Sequence, residues 1–131
     1  MTRAVDPPID VRTRPLVAVI CSVPLLAEAI GSALEFAEVR SFSDRGGGIA
    51  GLLSWLRPDA VVVDSETAAT ESAVFALEHR LPVLHIVVRE QQLRLFVGGE
   101  WEYVADSDGA SPESIRNVIA GSLFAREGRA R

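Results

Sequence analysis

The sequence predicts an α/β domain built on a doubly wound, mainly parallel five-stranded sheet, and three observations carry that expectation. Short runs rich in Val and Ile alternate with amphipathic helical stretches along most of the chain. Leu16 to Ile20 and Ala60 to Val63 are apolar throughout, as strands covered by helices on both faces must be. The chain has 131 residues, 48% of them hydrophobic and 24% charged, enough for one domain with its own core.

In chain order, residues 1–15 read as a flexible arm, where Asp6, Pro7, Pro8 and Asp10 lie among arginines with no apolar stretch. The first strand follows. Ser22 is then placed to cap a helix, with Pro24 tolerated in the first turn because an N–H there would lack a partner anyway. Leu25, Leu26, Ala29, Ile30, Ala33 and Leu34 recur at helical spacing and form its apolar stripe. Glu38 to Phe42 is a second strand. A loop containing Gly46, Gly47 and Gly48 leads to a second helix, marked by Ile49, Leu52, Leu53 and Leu56 and stopped by Pro58. Trp55 on this helix is expected in the core or at its rim.

The third strand ends in Asp64, Glu71 to Arg80 is a short helix, and Pro82 opens a fourth strand through Val88. Right-handed crossovers then place helices on both faces of the sheet. The rhythm next changes. Leu93, Leu95 and Val97 alternate with Arg94 and Phe96, and Trp101 and Tyr103 with Glu100 and Glu102, around Gly98-Gly99. This is the pattern of a β-hairpin, whose tight turn needs positive φ at its centre. A short helix from Glu90 to Phe96 is the competing reading. Ser111, Pro112 and Glu113 supply the cap, first-turn proline and dipole-compatible acid of a last helix, with Ile115, Val118, Ile119 and Leu123 as its stripe. The domain thus covers residues 16–125, and 126–131 form a frayed basic tail.

Composition narrows the function classes. The 18 acids outweigh 13 bases for a net charge of -5, which opposes duplex binding, where a basic face must displace counterions. No apolar run is long enough to span a bilayer. The N-terminal residues lack the apolar segment of a signal peptide, and the single cysteine permits no internal disulfide, so a cytoplasmic setting is expected. All the bases are arginine, a trait of GC-rich coding sequence.

Four segments in order resemble the receiver domain of bacterial response regulators, the CheY-like family, and in particular the LuxR/NarL-type receivers. Val19-Ile20-Cys21-Ser22-Val23-Pro24-Leu25 resembles the end of the family's first strand and the start of its first helix. Pro58 through Asp64 resembles the third strand that ends in the phosphoacceptor aspartate, and Leu81-Pro82-Val83-Leu84 the fourth strand. Tyr103 and Ser111-Pro112-Glu113 resemble the fifth strand and last helix. The resemblance covers roughly residues 16–124. It implies a flavodoxin/CheY-like sheet of order 2-1-3-4-5, here with a β-hairpin replacing the fourth helix.

The departures imply lost chemistry. Receiver phosphorylation uses Mg²⁺, a hard cation that wants carboxylate oxygens. The family's acid pair falls on Cys21 and Ser22, and its hydroxyl residue after the fourth strand falls on Val87. Its lysine falls near Ala105 or Asp106, in a chain that contains no lysine. Asp64 alone remains, so no metal and no cofactor is expected. This is the pattern of a pseudo-receiver.

Asp64 reads either as a relic phosphoacceptor or, more plainly, as a solvated residue holding its own loop with Ser65 and Glu66. Cys21 faces a helix N-terminus, which favours a thiolate. Phosphocysteine carriers of the sugar phosphotransferase IIB type place their cysteine likewise, and low-molecular-weight tyrosine phosphatases use a cysteine loop closed by an arginine. Both need a small phosphate-cradling loop, whereas Val23-Pro24-Leu25-Leu26 follows here; the plainer reading is a buried apolar filler. The three glycines at 46–48 lack the Lys and Ser/Thr of a P-loop. His79 suits a helix end and His85 a strand core. The sequence therefore points to a non-catalytic module that works by protein contact, with a homodimer or another protein as partner and no direct nucleic acid or membrane. Leu93, Leu95, Phe96, Val97, Trp101 and Tyr103 are its expected contact surface. The alternative is an enzyme or phosphocarrier using Cys21.

Overall fold

The computed structural model describes residues 14–44, 48–104 and 110–129, with side chains of the last helix described to residue 124. Residues 1–13 of the expected arm at 1–15, the glycines at 46–47 and the lysine-equivalent positions 105 and 106 lie outside the described residues. The end of that arm is tied to the domain: Arg14 donates to Ala37 O at 3.1 Å, and Pro15 O accepts from Glu38 N–H at 2.8 Å. The strands are β1 (Leu16–Cys21), β2 (Glu38–Ser43), β3 (Ala60–Val63), β4 (Val83–Val87), β5 (Gln92–Val97) and β6 (Glu100–Tyr103). The helices are α1 (Pro24–Ala33), α2 (Ile49–Leu56), α3 (Glu66–His79) and α4 (Pro112–Arg129). Helical backbone thus continues over 126–129, where the sequence suggests a frayed tail, and α3 starts earlier than Glu71 because Ser65 caps it.

One six-stranded sheet has the order β2-β1-β3-β4-β5-β6. The pairs β1–β2, β1–β3 and β3–β4 are parallel, while β4–β5 and β5–β6 are antiparallel. The expected five-stranded sheet needs correcting here. The hairpin adds to the sheet itself, so Tyr103 ends a sixth strand. The cause is the short link after β4. A parallel return needs a dozen or more residues, but a single 3-10 turn, Val88–Glu90, followed by Gln91 at φ 53° sends the chain straight back beside β4. The short-helix reading of this segment is excluded. Gly98 and Gly99, at φ 66° and 89°, then form the tight turn that pairs Val97 with Glu100.

Two apolar layers explain why β1 and β3 are buried along their whole length. Val17, Val19, Val62, Leu84 and Ile86 face α1 and α4 through Ile30, Leu34, Ile115 and Ile119. Ala18, Ile20, Val61, Val63 and Val83 face α2 and α3 through Leu53, Ala69, Phe75 and Ala76. The hairpin joins both layers, with Leu93 in the first and Phe96 in the second. Trp55 belongs to neither. It is 72% exposed, on the outer side of the two-turn α2, whose inner side Ile49 and Leu53 already fill.

Candidate functional site

The carboxyl ends of β1, β2 and β3 bring together Cys21, Ser22, Asp44, Asp64 and Ser65, at the edge where open α/β sheets carry their chemistry. Ser22 does not cap α1; Val23 holds that position and makes no side-chain cap bond. Ser22 turns instead to Asp64, its N–H donating to both carboxylate oxygens at 3.0 Å and its hydroxyl to Oδ2 at 3.2 Å. Asp64 is thus tied across the sheet to the acid-pair position, more than to its own loop.

Ser65 does the local work. Its hydroxyl accepts from Ala68 N–H at 3.1 Å, capping α3, and donates to Asp44 Oδ2 at 2.6 Å. Asp44 in turn donates its N–H to Cys21 O at 3.2 Å. Cys21 lies beneath this network, 4% exposed. Burial, then the charges of Asp64 and Asp44, push its thiol up to about 12. The helix-dipole expectation for a thiolate is overridden because desolvation and two carboxylates oppose the same charge.

Next to this cluster, on the α2/α3 side, stands a second one that the sequence did not single out. Arg94 on β5 donates to Glu66 Oε2 at 3.0 Å and lies 3.3 Å from His85 Nδ1. Its guanidinium is also stacked 4.6 Å from the centre of the Trp101 ring. His85 is buried at the end of the apolar layer. Burial holds its pKa below the usual histidine range, Glu66 and Asp64 pull it upward, and Arg94 adds to the depression. A neutral ring with Nδ1 accepting from Arg94 fits these surroundings.

Asp44 and Arg94 are not singled out as site residues by the sequence, where Ser65 appears only as a loop companion of Asp64. Asp44 and Ser65 did carry a signal, since each directly follows a strand end or precedes a helix. Arg94 was legible only as the residue sharing a hairpin face with Phe96. Among the described residues, no three His, Cys, Asp or Glu side chains could hold a metal ion.

The expected contact surface is divided. Leu93 and Phe96 are 1% and 7% exposed and belong to the core, so they cannot meet a partner. Leu95, Val97 and Trp101 are half-buried, and Tyr103 is exposed. Val87, at the end of β4, is half-buried. Two clefts open at the opposite edge of the sheet from Asp64. One, of about 670 Å³, lies between Leu77, Arg80, Pro82, Val97, Gly99 and Ser122; the other, of about 490 Å³, is lined by Ser54, Arg57, Pro58, Asp59, Phe75 and His79.

No family model matches the chain, and no curated protein matches it. Among solved structures it is similar to the crystal structure of the anti-anti-sigma factor PhyR from Bartonella quintana. The TM-score is 0.62 at 17% identity, over 91% of this chain and 51% of that one. This chain thus spans about half the length of that protein, and what the two share is the fold. Among the described residues no helix is long and apolar enough to cross a membrane.

Proposed function

We propose that this chain is a degenerate receiver-like module, nearest in pattern to the LuxR/NarL-type receivers, that regulates by binding another protein and does not pass phosphate through Asp64. The observation that carries this reading is the Ser22–Asp64 pairing. In a working phosphoacceptor the carboxylate must be free to attack, with a neighbouring carboxylate holding Mg²⁺ against it. Here a neutral serine stands at the acid-pair position and binds both oxygens of Asp64. Val87 adds no hydroxyl at the end of β4. The reading is of a non-enzymatic regulator in the bacterial cytoplasm, and its regulatory part accords with the name of the similar structure, an anti-anti-sigma factor.

Incubation with acetyl phosphate and Mg²⁺, followed by intact-mass measurement, tests the proposal. The expected result is an unmodified chain. A mass gain of one phosphoryl group, lost in Asp64→Asn, would overturn it. Cysteine chemistry gains no support from the site, because a thiol at about 12 is protonated at neutral pH.

A further inference from the structure

We infer that the β6 edge takes up an extended partner segment that carries Arg or Lys at alternate positions, which would pair as a seventh strand. The inference rests on the protein-contact reading above and names the surface and the chemistry of the partner.

Among the described residues β6 ends the sheet. Glu102 pairs with Leu95 and Glu100 with Val97 across the two-residue turn, and Val104 N–H donates to Leu93 O at 2.9 Å. The even-numbered residues therefore direct their backbone groups toward β5. Those of Trp101 and Tyr103 point outward, which leaves two N–H and two C=O groups at the open edge.

Side chains divide by face. Glu100 and Glu102 project on the α1/α4 side, exposed and without an ion pair to any described residue. Trp101 and Tyr103 project on the other side, where Arg94 lies under both rings at 4.6 and 6.0 Å. Leu77, 63% exposed, extends this apolar side next to Gly99. A strand pairing here would set alternate residues opposite two carboxylates and the intervening ones against two aromatic rings. Basic residues alternating with apolar ones satisfy both faces.

A second copy of β6 does not. In an antiparallel pair related by a two-fold axis normal to the sheet, opposite residues share a face. Centring the axis on Trp101 sets Glu100 against Glu102 twice, and centring it on Glu102 sets that residue against its own copy. Like charges directly opposite are destabilising, so the acids that invite a basic strand disfavour self-pairing in both of these registers. The register centred on Tyr103 leaves Glu102 opposite Val104 with no basic partner.

The test uses the full chain and three labelled synthetic peptides: alternating Arg and Val, alternating Glu and Val, and an Arg–Val peptide with proline replacing alternate valines. Fluorescence anisotropy should show binding of the first only, together with slowed amide exchange at Trp101 and Tyr103. The double variant Glu100→Arg/Glu102→Arg should bind the Arg–Val peptide about tenfold more weakly or worse and acquire binding to the Glu–Val peptide. Circular dichroism confirms that the variant folds. Absence of binding, equal binding of the proline peptide, unchanged exchange at the two amides, or wild-type dimers that protect those amides without peptide would each overturn the inference. None of these outcomes touches the phosphorylation test, so the two readings fail separately.

Discussion

Moving from pH 8 to pH 10 should weaken this domain through a single thiol. Cys21 is 4% exposed, and its folded-state pKa lies at about 12 against an ordinary value of 9.0. The folded chain keeps the proton that the unfolded chain releases, so stability from this group is complete below pH 9 and is lost as pH rises toward 12. At pH 10 the unfolded thiol is about ten parts thiolate to one part thiol, which favours unfolding by about 1.4 kcal/mol. At pH 8 the same effect is about 0.1 kcal/mol or less. Urea denaturation at both pH values, in the wild type and in Cys21→Ala, isolates the thiol because every other alkaline group is common to the two proteins. With a urea slope of about 1 to 1.5 kcal/mol per molar for a domain of this size, the wild-type midpoint should fall by about 1 M more than the variant's. Iodoacetamide at pH 8 should react slowly with the folded protein and readily in urea. Equal pH responses in the two proteins, with fast alkylation of the folded chain, would refute the reasoning and restore cysteine chemistry as a reading of this site.

Leu93→Ala should cost about 3 kcal/mol, as for a fully buried leucine, whereas Tyr103→Ala, at a position 62% exposed, should stay within about 0.5 kcal/mol. Thermal or urea unfolding of the pair checks which hairpin residues belong to the core; comparable losses would mean that Tyr103 is buried in solution. Ser65→Ala removes the cap on Ala68 and the bond to Asp44, at a cost of about 1 to 2 kcal/mol. Faster amide exchange in the first turn of α3 should accompany that loss, and unchanged exchange there would show the cap to be idle.

The α/β class, most of the strands and helices and the Gly98-Gly99 turn were legible in the sequence because each is a local property. Val and Ile runs, helical stripes, caps and glycines act within a few residues of themselves. Asp64 could be placed at a strand end for the same reason. The sheet's far edge could not be read this way. The alternation in residues 93–103 is the same for a hairpin standing apart and for one that extends the sheet. What decides between them is the tight turn at Val88–Gln91, which sets β5 against β4 and draws Leu93 and Phe96 into opposite core layers. Trp55 was misplaced because a two-turn helix has room for only a narrow buried stripe. The site was legible as positions and not as partners. Which atom Ser22 binds, what surrounds Cys21 and what Arg94 stacks on depend on strands separated by tens of residues in sequence. Sequence determined which groups stand at the rim of the sheet; tertiary structure decided that they bind one another, because hydrogen bonds and desolvation depend on distances that only the packed sheet fixes.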